Sequence, residues 1–400
     1  MRATGGLATM PIDLSKQIQE HLIEQKEEMV NFLMDLTKME SPSLAPETQL
    51  PVQEFLRAPL EDLGFQVILR TGEKTGGHLY AVHESNPEPN PPRQLLLGHT
   101  DTVWPVGTIK HMPVIWDREE NIVKGPGVFD MKGGITQIIF ALKTLDRLGH
   151  SPELTTTVLL NSDEEIGSEE SQPYIEKYAQ ESSRVFVMEP ALGTDGLIKT
   201  TRRGVGQFEV TAIGKAAHSG LAPEEGASAI QEMSHVIQQL HCLNRPEEGL
   251  GINVGTVSGG TRANVVAATC TAIVDVRVSN QAQSTWIDQQ IRNLKSTMPN
   301  TYLEISGGVD RAPMESNDRN TDLWNAVRDC GRNMGVELIG GQSGGASDGN
   351  ITSLHTATLD GLGSIGDGAH ALHEYICVTG LLERTTLLAL ALLLPQDLIG

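Results

Sequence analysis

His99 and Asp101 stand two residues apart where an apolar run ends, in LLLGHTDTVWP (95–105). An imidazole and a carboxylate so spaced can share a proton or hold a divalent cation. Asp130 follows in GPGVFDMKGG, Glu164 and Glu165 in NSDEEIGS, Glu189 in VFVMEP and His370 in GDGAHALHE. Taken singly, each has a plain structural reading: H-x-D as a surface turn, DEE as a solvated helix cap. Five strand ends in turn do not, because a structural chain has no reason to finish strand after strand in His, Asp or Glu. Imidazole and carboxylate without thiolate suit zinc, with cobalt or manganese as substitutes. Two histidines and several carboxylates exceed the needs of one tetrahedral ion. Two ions bridged by a carboxylate would use them and would activate a water. That water still needs a base, so of Glu164 and Glu165 one can bind metal while the other faces the water.

The elements that must position these residues follow from the pattern. Residues 14–39 carry charged and apolar residues at helical spacing, and QVILR (66–70), HLYAV (78–82) and QLLLG (94–98) read as strands. Ile135, Ile138, Ile139, Leu142, Leu145 and Leu148 form one helical stripe, stopped at Gly149. Strand-like LTTTVLLNS (154–162), a polar helix near 169–180 and RVFVM (184–188) come next. Strands alternating with helices predict an α/β fold, a mainly parallel sheet covered on both faces. In such sheets, sites lie beyond the carboxyl ends of the strands, where these polar residues collect.

From about 197 to 310 the rhythm changes. GQFEVTAIG, a helix near 226–243, GINVGTVSG, TCTAIVDVRVS, a helix near 284–298 and TYLEIS give the order of a ferredoxin-like α+β unit. We therefore expect a catalytic domain in two parts, 1–196 and 311–400, with a lid inserted at 197–310. The second part closes with a Leu-rich helix near 379–394, and NPEPNPPR (86–93) reads as a loop.

Composition limits the partners. With 30 basic and 51 acidic residues the net charge is 30 − 51 = −21, which repels nucleic acid and anionic membranes. The longest apolar run, Leu387–Leu394, is far short of the ~20 residues that span a bilayer, and the first residues lack the apolar core of a signal peptide. Cys242, Cys270, Cys330 and Cys377 are scattered and read as buried thiols of a reducing compartment. The expectation is a cytoplasmic protein.

One rival chemistry has a motif. G-A-S-D-G (345–349) matches the nucleophile elbow of serine hydrolases, with His355, Asp360 and His370 downstream of Ser347. The Gly-rich GGQSGG ahead of it does not suit a tight strand–turn–helix, and the elbow would leave the residues of the opening paragraph without a role. The alternative is a turn into a helix capped by Ser347 or Asp348.

GHTDTVWPVGT, GPGVFDMKGG, NSDEEIGS, VMEP, GKAAHSG and GAHALHEY resemble, in this order, the motifs of a family of di-zinc exopeptidases and deacylases. That family includes acetylornithine deacetylase, succinyl-diaminopimelate desuccinylase, aminoacylase and bacterial glutamate carboxypeptidase, and this chain is most similar to the last branch. The resemblance implies two zinc ions per subunit. His99 and Glu189 would hold one, Glu165 and His370 the other, and Asp130 would bridge them, often with a cis peptide after it. Asp101 would orient His99, and Glu164 would be the general base. His218 would reach the developing oxyanion from the lid of a partner subunit in a homodimer. Asn264 and Arg277 would dock the substrate's free carboxylate, and Gly344–Asp348 would line the substrate pocket. The implied activity is hydrolysis of an amide bond beside that carboxylate, on a small peptide or, as the alternative, on an N-acyl amino acid.

Overall fold

The run 94–98 forms the strand Arg93–His99, buried at every residue after Arg93 because it lies inside a six-stranded sheet. Residues 12–83 and 91–398 are described by the computed structural model, so residues 86–90 of the expected Pro-rich loop and the first eleven residues lie outside it. In spatial order the strands are Phe65–Arg70, His78–His83, Thr155–Asn161, Arg93–His99, Arg184–Val187 and Ala357–Leu359. The last four run parallel. The first two form an antiparallel hairpin added to their edge.

Both faces of the sheet are covered, and alternate residues of each strand serve different faces. Leu96, Val158 and Phe186 pack with Ile135, Ile138 and Leu388. Leu95, Leu97 and Val185 pack on the other side with Ile175, Tyr178 and Ile351. The stripe expected on the helix Gly133–Leu148 is buried from Ile135 to Leu145, with Leu148 partly so. Gly149, at φ 72°, ends it in the left-handed conformation that favours glycine. The Leu-rich helix spans Val378–Leu392 and is buried along most of its length.

Differences from the sequence reading are local. Residues 14–39 form two helices, Ile12–Glu24 and Lys26–Lys38, separated at Gln25, whose ψ of 0° leaves the helical range. A further helix, Gln49–Asp62, is hidden in the sequence by Pro59 within it. Cys242 is exposed rather than buried, and all four cysteines are free. No helix among the described residues is long and apolar enough to cross a membrane.

The chain divides into two compact units: residues 1–200, 316–342 and 347–400, and residues 201–315 with 343–346. The short segment 343–346 joins the second unit through Arg202, whose guanidinium donates to the carbonyls of Gly345 and Ala346, both at 3.2 Å. That unit is an antiparallel sheet ordered Gly251–Gly259, Thr269–Val278, Gly204–Ile213, Tyr302–Arg311. Its helices are Ala229–Cys242, capped by Ser228, and Gln281–Arg292, capped by Asn280. The second helix spans 281–292 rather than the expected 284–298, and it starts earlier because Asn280 supplies the cap. Val210, Val274, Val236 and Ile287 form part of this unit's own core.

Candidate metal centre

Three parallel-strand ends and two turns of the first unit deliver the polar residues. Gly98 lets the strand Arg93–His99 finish against Met131, since a Cβ there would lie 2.6 Å from Met131 Cε. His99 follows and is 1% exposed. Its Nδ1 lies 2.9 Å from the main-chain oxygen of Asp101 and 3.3 Å from Asp101 Oδ1. Two acceptors on Nδ1 place the proton there and leave the lone pair of Nε2 for a cation. Nε2 faces Asp130 Oδ1 at 3.3 Å and Glu189 Oε1 at 3.4 Å.

Asp130 lies in a non-helical turn ahead of the helix Gly133–Leu148, and the Asp130–Met131 peptide is cis. Its second oxygen, Oδ2, is 3.5 Å from His370 Nε2, and Glu165 Oε2 is 3.1 Å from the same nitrogen. His370 itself adopts φ 61°. Two ligand sets result, His99–Asp130–Glu189 and Asp130–Glu165–His370, with the ligand atoms of each within 4.8 Å of one another. Asp130 belongs to both and presents one oxygen to each.

The electrostatics are those of a site short of positive charge. Burial pushes the Glu164 carboxyl well above its usual range, with the Glu189 charge adding to it. Burial also raises Glu165, and Asp130 adds repulsion. Burial would lower His99, but Asp101, Asp130 and Glu189 hold it well above the usual imidazole range. Asp130 and Glu165 draw His370 up to about 10. Glu165 Oε1 is buried without a hydrogen-bond partner. An orphaned carboxylate oxygen among mutually repelling acids is what a bound dication would satisfy. The donor set of imidazole nitrogen and carboxylate oxygen, without sulfur, fits zinc.

The turn bearing Glu164 and Glu165 follows the strand Thr155–Asn161 and is held by residues to which the sequence reading gave no such role. Asp163 Oδ2 accepts from the amides of Glu170 and Ser171 at 3.0 and 3.1 Å. Asp348 takes the Asn161 amide at 2.8 Å and the Ser168 hydroxyl, so it grips the turn at both ends. Ser43 donates to Asp101 Oδ2 at 2.6 Å. Asp163 is the first residue of DEE, a signal open to reading; Ser43 and Asp348 are distant in sequence, and nothing local ties either to this turn.

Ser347 does not form a nucleophile elbow. It is fully buried, its hydroxyl donates to Asp360 Oδ2 at 2.6 Å, and it accepts from the Gly349 amide at 3.0 Å as cap of the helix Asp348–Thr352. Asp348 is 2% exposed, so neither residue is placed to line a pocket as expected.

In the second unit His218 is exposed, and its Nδ1 accepts from the amides of Gly220 and Leu221 at 3.1 and 3.2 Å. The ring proton therefore sits on Nε2. Asn264 is its neighbour, with the Ser219 amide donating to the Asn264 carbonyl at 3.1 Å. Arg277 stands near the far end of the strand Thr269–Val278, about 26 Å along at ~3.3 Å per residue. Its Nε and Nη2 pair with Asp275 at 2.9 and 3.0 Å. The lid thus brings His218 and Asn264 together and holds Arg277 apart from them.

Residues 95–394 match Peptidase family M20/M25/M40. The chain belongs to that family. Carboxypeptidase G2 of Pseudomonas sp. (strain RS-16) is 26% identical over 377 residues, 90% of this chain and 88% of that one. Among solved structures, aminopeptidase PepT of Bacillus cereus superposes with a TM-score of 0.77 at 21% identity, covering 92% of this chain and 98% of its own. The YXEP protein of Bacillus subtilis, a dinuclear metal binding peptidase from family M20, gives 0.67 at 16%, covering 92% and 97%. At those identities the two structures show the fold alone. The family membership makes this chain a metal-dependent peptidase of family M20/M25/M40, with candidate ligands at the five positions above.

Proposed function

We propose that the chain is a homodimeric, di-zinc carboxypeptidase that hydrolyses the amide bond beside a free carboxylate and releases a C-terminal amino acid. The observation that carries this reading is the pair of ligand sets sharing Asp130, with Glu164 adjacent to Glu165. Similarity to carboxypeptidase G2 over 90% of the chain supports the choice of bond.

His99 and Glu189 would hold one ion and Glu165 and His370 the other, with Asp130 offering one oxygen to each set. Two ions held there would supply polarisation of the scissile carbonyl and a water more acidic than bulk. The chain's own residues do the rest. Glu164 takes the proton of the attacking water and returns it to the leaving amine. Its burial among other acids favours holding that proton between the two events. Asp101 keeps the proton of His99 on Nδ1. His218 of the partner subunit donates from Nε2 to the developing oxyanion, which its two amide donors on Nδ1 equip it to do. Arg277 anchors the substrate carboxylate through the N–H groups that Asp275 leaves, and Asn264 of the partner's lid adds a second donor. The separation of Arg277 from His218 and Asn264 along one lid supports sharing the site between two subunits.

The test is hydrolysis of C-terminal Glu, Ala and Leu dipeptides and of N-acyl amino acids, before and after chelation, with zinc or cobalt added back. Dipeptide cleavage lost to the chelator and restored by metal is expected. Cleavage of N-acyl amino acids alone would reassign the chain to deacylation. Activity indifferent to chelation would overturn the reading.

A further inference from the structure

We propose that Glu374 is a positioning residue of the metal centre, one carboxylate that locks the turn carrying Asp130 to the turn carrying His370. The inference rests on the metal-centre reading above. Glu374 is 1% exposed. Its Oε1 accepts from the amides of Phe129 and Asp130 at 2.9 and 3.1 Å. Its Oε2 accepts from the Gly127 amide and the Trp104 indole, both at 2.9 Å. The main-chain oxygen of Glu374 also takes the Gly125 amide at 3.3 Å.

The backbone explains why a side chain is needed there. Gly127 has φ 74° and Asp130 has φ −113°, ψ 99°, so neither has helical geometry. Amides that no helical carbonyl serves must find another acceptor when buried. Glu374 supplies it, and it does so from the turn that places the other imidazole. His370 lies four residues earlier, in a turn closed by Ala371 N to Gly368 O at 2.8 Å and Glu374 N to Ala371 O at 3.0 Å. The 3.5 Å separation of Asp130 Oδ2 and His370 Nε2 is thus set by two turns that share this one carboxylate.

The chemistry dictates the residue type. Each oxygen serves two N–H donors, and only an ionised carboxylate accepts on both oxygens. A glutamine in either orientation would turn its NH2 group toward two N–H donors. An aspartate would keep the charge and lose a methylene of reach. Asp130 and His370 of one set both depend on the lock, whereas the other set shares only Asp130 with it, and its His99 and Glu189 lie on neighbouring strand ends. The two ions should therefore respond unequally.

The experiment is equilibrium dialysis of wild type, Glu374→Gln, Glu374→Asp and Trp104→Phe against buffered free zinc. Bound zinc is counted by atomic emission, and thermal melting of each chelated form reports folding. Wild type should take up two ions. Both Glu374 variants should keep one ion at wild-type free zinc and need about 10- to 100-fold more for the second. Trp104→Phe removes one donor of four and should shift the same ion by less than either. If Glu374→Gln does not fold, Glu374→Asp carries the comparison. Variants that fill both sites at wild-type zinc, or that weaken both ions equally, would overturn the proposal while leaving the metal reading intact. Wild type that takes up no zinc would overturn the metal reading itself.

Discussion

The main-chain amide of Glu165 donates to Asp101 Oδ2 at 3.1 Å. The amide of Glu164 donates to Asp101 Oδ1 at 3.2 Å, so one carboxylate collects the backbone of both acids. His99 Nδ1 is nearer the main-chain oxygen of Asp101 than its carboxylate, at 2.9 against 3.3 Å. The carboxylate therefore acts more on the Glu164–Glu165 turn than on the imidazole.

That distinction is measurable in Asp101→Asn. The amide side chain must point its NH2 at one of two N–H donors, which tilts the turn while His99 keeps its main-chain acceptor. We expect kcat to fall about 10- to 100-fold with KM little changed. Excess zinc should not restore it. Full rescue by added metal would instead show that Asp101 serves His99.

Glu164→Gln tests the base. Glu164 is in neither ligand set, so the variant should keep its zinc. Loss of general base and acid should lower kcat about 100- to 10,000-fold. Metal content and single-turnover rate measured on one preparation separate the two effects. Near wild-type turnover would remove Glu164 from the mechanism.

Much of this was legible in the sequence because His99, Glu165 and Glu189 sit at or just past strand ends, and strands reveal their ends by composition. Arg93–His99 and Thr155–Asn161 are buried apolar runs, and the polar residues just beyond them stand out. The second unit showed itself by the change from parallel-strand runs to alternating ones, as in Thr269–Val278, where every second residue is buried. What stayed hidden is long-range. The grip of Asp348 on Asn161 and Ser168 joins residues about 180 positions apart, and no local pattern announces such a bond. Ser347 misled for the opposite reason. G-x-S-x-G is a local pattern, and the burial of this serine against Asp360 decides its meaning.

Ser347→Ala should therefore be a stability variant. It removes a helix cap and leaves the buried Asp360 short of a donor, which costs about 1–3 kcal/mol. Urea denaturation of the chelated protein measures it. A serine-directed phosphonate should leave wild-type activity unchanged, and inactivation with label on Ser347 would restore the rival chemistry.

His78 gives a pH signature away from the metal centre. It is 3% exposed, its ring centroid is 4.3 Å from that of Tyr174, and its Nε2 has no hydrogen-bond partner. Burial, helped by the Arg70 charge and opposed by Glu170, pulls its pKa down to about 4 from 6.5. Above pH 6.5 the ring is neutral folded and unfolded, and no penalty exists. As pH falls toward 4 the unfolded chain binds a proton that the folded chain refuses, so stability declines and then levels. Between pH 7.5 and pH 4, chelated wild type should lose about 3 kcal/mol more than His78→Phe, which keeps a ring over Tyr174. Parallel curves for the two proteins would place His78 outside the acid response.

The proposed sharing of one site by two subunits makes the sharpest demand. His218→Ala leaves Glu164 intact, Glu164→Ala leaves His218 intact, and each homodimer should be nearly inactive. In a mixed dimer, one site combines the intact Glu164 of one subunit with the intact His218 of the other, and the second site lacks both. Random reassortment makes half the dimers mixed, each with one working site of two, so about a quarter of wild-type activity should return. Mixing after reversible dissociation, followed by an assay at constant total subunit, reads this directly. A histidine acting within its own subunit gives no working combination in any dimer, and activity would stay at the level of the separate variants.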